Sequence, residues 1–458
     1  MIPNAKRQVP IIAELRTTPR AEHCISRRNI SSGALRVLYR LNEAGYQAFL
    51  VGGAVRDLLL GGHPKDFDVA TNATPEEVRG LFRNCRLIGR RFRLAHVVFG
   101  REIVEVATFR GTGDDGSGDR HLVDGRLVRD NVYGTIEEDA LRRDFTVNAL
   151  YYDISDFSVR DYVGGMQDLE QRCLRLIGDP EERYREDPVR MLRAARLAAK
   201  LDFTIAPETA APFAKLGPLL AEAPPARLFD ESLKLFLSGY GLASFHALQT
   251  HGLIEHVFPS TARSLKSVHA DRFRVLLERT LASTDERVRA EKPVTPAFLF
   301  AALLWEPVRA AAEELIAAGT DPAAAWATAS TRIMSEQAQR VAIPRRFASS
   351  IEEIWMLQPR FEQRVKKRVF RLLAHPRFRA AYDFLLLRSS ESPALTELAE
   401  WWTAAQQMDH QELARQFAPQ PPLTPEGAAA TEAPKRRRPR RRRRKAKPAS
   451  EGGATPAE

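Results

Sequence analysis

The feature that most restricts the fold is a change of periodicity near residue 180. Before it, short apolar runs alternate with helix-spaced segments. Ala48-Phe49-Leu50-Val51 reads as a buried strand running into Gly52-Gly53, and a helix follows over Ala54–Leu60. Gly61-Gly62-His63-Pro64 breaks that helix, and Phe67-Asp68-Val69-Ala70 is the next strand. Upstream, Leu35, Val37, Leu38 and Leu41 mark a helix face that begins at an N-cap Ser31 or Ser32 and stops at Gly45. Thr74-Pro75-Glu76-Glu77 combines a capping-box Thr, a Pro at the first helical position and a Glu three residues after the cap. Strand-like runs recur at 95–99 and 102–109, and this α/β region ends around residue 155. Beyond residue 180 the pattern predicts a largely α-helical stretch over 180–418 in two subdomains. There Met191, Ala195, Ala198 and Leu201 recur at helical spacing, and Pro224-Pro225, Pro259, Pro293 and Pro344 punctuate the run.

At 458 residues the chain is too long for one core, so several domains are expected. No run approaches the roughly 18 apolar residues of a membrane helix, and no signal peptide opens the chain. Cys24, Cys85 and Cys173 are too few and too scattered for a disulfide framework or a Cys-based zinc site, which points to a reducing cytoplasm. Residues 1–30, interrupted by Pro3, Pro10 and Pro19, read as a flexible leader. The excess of 69 Lys and Arg over 58 Asp and Glu gives a net charge of +11. Most of it lies in a tail, 419–458, whose eleven cations include Arg436, Arg437, Arg438, Arg440, Arg441, Arg442, Arg443 and Arg444. Four glutamates reduce that tail to +7, so the rest of the chain carries +4. Its Pro, Ala, Gly, Glu and Arg composition predicts disorder and an arm for polyanions.

Asp66-Phe67-Asp68 places two carboxylates at i and i+2, on one face of a strand. Like charges so close repel, and a divalent cation removes the conflict. Oxygen-only ligation suits Mg²⁺ or Mn²⁺ better than zinc. Alone the pair is a weak signal, equally a solvated strand end. It follows Gly52-Gly53, whose backbone N–H groups at a helix start form a phosphate cradle, and Arg56 is placed to add a charged fork to phosphate oxygens. Together these features fit a nucleoside triphosphate bound with metal.

Leu50-Val-Gly-Gly-Ala-Val-Arg-Asp57 followed by Lys65-Asp-Phe-Asp68 resembles the head-domain signature of class II nucleotidyltransferases. That family holds the bacterial poly(A) polymerases and the CCA-adding tRNA nucleotidyltransferases. The resemblance continues through Arg142–Leu150 and Glu186–Arg193 and covers roughly residues 32–260. It implies an α/β nucleotidyltransferase head, with a mixed sheet and helices, followed by helical neck and body domains. The boundaries expected are head 31–170, neck 171–260 with a nucleobase-recognition helix, RNA-binding body 261–418 and Arg-rich tail. It implies two-metal attack of an RNA 3′-hydroxyl on the α-phosphate of ATP, with Asp66 and Asp68 holding metal and Asp144 as third carboxylate. Arg143 would neutralise the triphosphate, and Asp187, Arg190 and Arg193 would read the base. Glu105, alone in the apolar strand Ile103-Val104-Glu105-Val106-Ala107, is the rival third carboxylate. An ion pair for Asp144 and an N-cap for Asp187 are the plain structural readings.

Gly89-Arg90-Arg91-Phe92-Arg93-Leu94-Ala95-His96-Val97 resembles the poly(A) polymerase form of its loop. With the basic tail, this favours template-independent AMP addition to RNA 3′ ends by a cytoplasmic monomer, with RNA-decay factors as possible partners. CCA addition to tRNA is the alternative, and a non-catalytic RNA-binding protein on the same scaffold is a second one. The five tryptophans are read as helix packing rather than base stacking.

Overall fold

The computed structural model describes residues 15–89, 93–111, 120–123, 126–130 and 132–417. The tail arginines and residues 90–92 of the basic loop lie outside the described residues. Eight strands make one mixed sheet: β1 (Arg16–Thr18), β2 (Ala48–Val51), β3 (Asp68–Thr71), β4 (Cys85–Ile88), β5 (Leu94–Phe99), β6 (Glu102–Thr108), β9 (Leu150–Asp153) and β10 (Val159–Asp161). Strands β7 (Arg120–Val123) and β8 (Arg126–Asp130) form a separate ribbon. The sheet order is β1-β10-β9-β2-β3-β6-β5-β4, and β3 with β6 is its parallel pair.

Local sequence accounts for the elements that frame the sheet. Helix α1 (Ser32–Glu43) is capped by the Ser31 hydroxyl and buries Ala34, Val37, Leu38 and Leu41 against the sheet. Helix α2 (Gly53–Leu59) starts directly from β2 through Gly52, whose φ of +73° is a glycine conformation. Helix α3 (Pro75–Leu81) carries the predicted capping box, with Glu77 answering Thr74. On the opposite face, α4 (Ile136–Arg142) packs Ile136 and Ala140 on Phe49, Val51, Ala70 and Tyr151. The sheet centre is therefore covered on both sides.

Residues 15–30 of the expected flexible leader are part of the fold. Arg16–Thr18 pairs with β10, and Ile25 and Ile30 are buried in the head core. Apolar residues at those two positions outweigh the interruptions by proline. The main sheet runs six residues past 155, to Asp161, and a short parallel pair joins Cys173–Leu174 to Thr204–Ile205 further on.

After α5 (Gly165–Glu170), α6 (Pro180–Glu186) and α7 (Val189–Leu201), helices dominate, including α8 (Pro225–Phe236). One core runs from Phe145 and Val147 through Met191 and Leu192 to Trp305 and Trp355. Trp305, Trp355 and Trp402 are fully buried, so these three pack helices. No described helix is long and apolar enough to cross a membrane. Residues 409–458 separate from 1–408 as their own unit, and in it Asp409 caps the helix His410–Gln416.

Candidate active site

Asp68 opens β3, while Asp66 lies just before the strand, so the carboxylate pair straddles a strand start. Parallel pairing sets Asp68 directly beside Glu105 of β6. The Asp68 side chain reaches solvent on its outer side, but the sheet and the Gly52 turn back its carboxylate. Burial, then the Glu105 carboxylate, push its carboxyl up to about 6; Arg143 pulls the other way and Asp66 adds to the rise. A Cβ on Gly52 would stand 3.9 Å from Asp68 Oδ2 and 3.7 Å from Arg143 Nη1, so Gly52 brings backbone N–H, carboxylate and guanidinium together.

Arg143 is anchored from behind. Its Nε and Nη2 donate to Asp139 Oδ2 at 3.1 and 2.9 Å, and Nε also meets the Tyr151 hydroxyl at 2.9 Å. Tyr151 in turn donates to Asp139 at 2.7 Å. Burial opposes ionisation of Asp139, but Arg143 and the Tyr151 hydroxyl hold its carboxyl below the usual range. A fixed guanidinium beside the carboxylates is a preorganised anion partner.

Arg56 does not face this cleft as expected. It is 2% exposed, binds Asn148 Oδ1 through Nη1 and donates to Asp57 through Nε at 2.8 Å. Its burial makes it a clamp between α2 and the turn at 146–148. Asp57 continues the clamp to Lys200 of α7, 3.3 Å away.

Asp144 also differs from its expected place beside Asp66 and Asp68. Its carboxylate meets Arg190 Nε at 3.1 Å and Arg193 Nη2 at 2.7 Å, both on α7. Burial disfavours its charge, yet Arg193 and Arg190 hold the carboxyl below the usual range. Arg143 and Asp144, adjacent in the chain, thus send their side chains to two different clusters. Asp187 ends α6 rather than capping α7; Pro188 occupies the cap position, although Asp187 Oδ1 accepts from Val189 N at 3.2 Å. Its carboxylate is held by both terminal nitrogens of Arg227 on α8, at 2.8 and 2.5 Å.

Three side chains of this second cluster escaped the sequence reading. Arg227 is one. Arg183 donates to the carbonyls of Arg142 and Arg143 at 2.8 and 2.9 Å, and Glu186 bridges Arg183 and Arg190. The spacing of Arg190, Arg193, Arg196 and Lys200 on α7 was the available signal: four cations in eleven residues call for acids on neighbouring elements.

Among the described residues no three His, Cys, Asp or Glu side chains converge as a ready-made metal cage. Asp68 crowded by Asp66 and Glu105, and open to water and phosphate oxygens, is still part of the incomplete oxygen set that Mg²⁺ accepts.

A strand-borne carboxylate pair beside a Gly-Gly turn, with a helical remainder behind it, defines a nucleotidyltransferase. The family models agree: "Poly A polymerase head domain" matches residues 48–175, "Probable RNA and SrmB- binding site of polymerase A" 202–265, and "Polymerase A arginine-rich C-terminus" 318–445. Poly(A) polymerase I of Salmonella typhi is 52% identical over 395 residues, 85% of each chain. A CCA-adding enzyme of Lactobacillus johnsonii is 37% identical over 228 residues, 50% of this chain and 56% of that one. Among solved structures, the Bacillus stearothermophilus CCA-adding enzyme in complex with CTP matches with a TM-score of 0.53 at 25% identity, covering 84% of this chain and 81% of that one. The chain belongs to the poly(A) polymerase I family of nucleotidyltransferases.

Proposed function

We propose that this chain adds AMP from ATP, without a template, to RNA 3′-hydroxyl ends and releases pyrophosphate. The observation that carries the reading is Asp68, crowded by Glu105 and Asp66 and faced by the anchored Arg143. The 52% identity to a poly(A) polymerase I across 85% of the chain supports the choice of ATP and of open-ended RNA.

Asp66 and Asp68 are assigned to hold Mg²⁺ or Mn²⁺, whose chemistry when bound is to lower the pKa of the 3′-hydroxyl and neutralise the leaving oxygens. Glu105, Asp68's neighbour in the sheet, takes the third carboxylate position, and Asp144 positions α7 through Arg190 and Arg193. The N–H groups of Gly52 and Gly53 cradle the triphosphate while Arg143 balances its charge. Arg56 holds the Gly52-Gly53 turn in place from below. Asp187, Arg190 and Arg193 read the base, with Arg227 and Asp144 fixing the direction of their donors and acceptors. The arginines 436–438 and 440–444 hold upstream RNA through phosphates in a salt-dependent way. A cytoplasmic monomer that hands tailed RNA to decay factors completes the reading.

The test is extension of an unstructured RNA in Mg²⁺ with each nucleoside triphosphate separately. The expected product is a long tail with ATP alone. Ordered addition of C, C and A to a tRNA lacking its end, with no tail on other RNA, favours the CCA-adding alternative. RNA binding with no product under either metal favours the non-catalytic scaffold.

A further inference from the structure

The outer half of the sheet has one covered face and one open face. In β6, Val104, Val106 and Thr108 are buried, whereas Ile103, Glu105 and Ala107 point the other way and are not. The same alternation leaves His96 of β5 partly open and Arg86 and Ile88 of β4 exposed. The covered side is the core beneath α1 and α3; among the described residues α4 covers the second face only at the sheet centre. Pairing aligns Asp68, Glu105, His96 and Arg86 in one cross-strand row, and in-register neighbours share a face. Three strand spacings make that row about 14 Å long, from the carboxylates to the edge strand.

The row changes character along its length. It begins with the carboxylates, passes His96, whose Nε2 lies 3.4 Å from Glu105 Oε2, and ends at Arg86, which makes no ion pair among the described residues. Ile103 and Ile88 flank it at 52% and 41% exposure, an apolar floor left in water beside a reaction centre.

We propose that this open face of β4, β5 and β6 seats the 3′-terminal segment of the RNA primer, with Arg86 on a phosphate and Ile88 and Ile103 beneath ribose and base. The inference rests on the nucleotidyl-transfer reading above. In-line displacement puts the entering hydroxyl and the leaving pyrophosphate on opposite sides of the α-phosphate. The Gly52 turn, Arg143 and α7 all attach on the β2 and α4 side of Asp68, which is the triphosphate side. The hydroxyl therefore arrives over β6, and the rest of the primer follows the row toward β4. A positive edge and an apolar floor hold a single strand without reading its sequence, as open-ended tailing requires.

The full-length protein with an unstructured oligonucleotide tests this. Arg86→Ala and Ile103→Asp are each expected to raise the KM for RNA roughly tenfold, with the KM for ATP and kcat within about twofold of wild type. Arg86→Lys restores most of the loss, and Arg86→Ala makes the log–log salt dependence of the RNA KM shallower by about one unit. Ile103→Thr and matched thermal melting separate a lost contact from a lost fold. A primer ending in 4-thiouridine is expected to crosslink to peptides within 85–103. Unchanged RNA KM in Arg86→Ala and Ile103→Asp, or crosslinks confined to residues beyond 180, overturns the proposal. An active wild type with insensitive variants defeats the primer seat alone, whereas a wild type that adds no AMP defeats the nucleotidyl-transfer reading beneath it.

Discussion

Asp68 and Asp144 are both aspartates of the motif series, yet their surroundings push them in opposite directions. Asp68 stands among like charges with one arginine opposed, and its carboxyl rises to about 6. Asp144 is enclosed by Arg190 and Arg193, and its carboxyl falls below the usual range. A carboxylate already neutralised by two guanidiniums has little left to offer a cation. One crowded by carboxylates is relieved by it. The head cluster is thus arranged for metal chemistry, and Asp144 for fixing Arg190 and Arg193 of α7 in place.

The sharpest way to break this contrast is to neutralise each aspartate in turn. Asp68→Asn is expected to reduce AMP transfer by at least about a thousandfold while the melting temperature stays at or slightly above wild type, since it removes a repelled charge. Asp144→Ala is expected to act on stability first. It leaves Arg193 without its counter-charge and Arg190 with Glu186 alone, at about 3 kcal/mol by urea denaturation, the low end of such losses because Arg193 is partly solvated and Arg190 keeps a partner. Equal stability losses in both variants would erase the distinction.

The pH dependence of the metal-free protein separates the two clusters more finely. Asp68's folded pKa is raised, so its contribution is fully present below the unfolded value near 4 and is lost as pH rises through about 6. Asp144's is lowered, so its contribution is present above the unfolded value and is lost as pH falls through the folded one. Melting curves of Asp68→Asn should therefore gain on wild type between about pH 4 and 6, and those of Asp144→Asn should fall behind as pH rises toward about 4 and keep that deficit above it. The smallest effect expected is for Lys200→Met, which cuts the Asp57 link from α2 to α7. Both partners are partly solvated, so the stability change should be about 1 kcal/mol or less.

The same contrast separates what the sequence makes legible from what it conceals. The β2–Gly52–α2 unit, the Thr74 capping box and the helical character after residue 180 depend on neighbours a few positions apart, and each appears as read. Glu105 stands out in an apolar strand for the same local reason. Its rank against Asp144 depends on which strands pair, because the parallel register of β3 and β6 brings Asp68 and Glu105 together across 37 positions. Arg56 reads as a phosphate ligand from its place after Gly52-Gly53, but its direction is decided by Asn148, far along the chain. Asp187 meets Arg227 only because α8 packs against α7. Motifs reveal which residues belong to a site; topology decides which of them face one another.

The most direct test is divalent-cation binding, measured by the paramagnetic signal of Mn²⁺ with the wild type, Asp68→Asn and Asp144→Asn, each checked for fold by melting. The opposed environments of the two aspartates predict that Asp68→Asn loses the Mn²⁺ taken up by wild type and that Asp144→Asn retains it. Retention by Asp68→Asn together with loss in Asp144→Asn would contradict the assignment of the head carboxylates as the reacting centre.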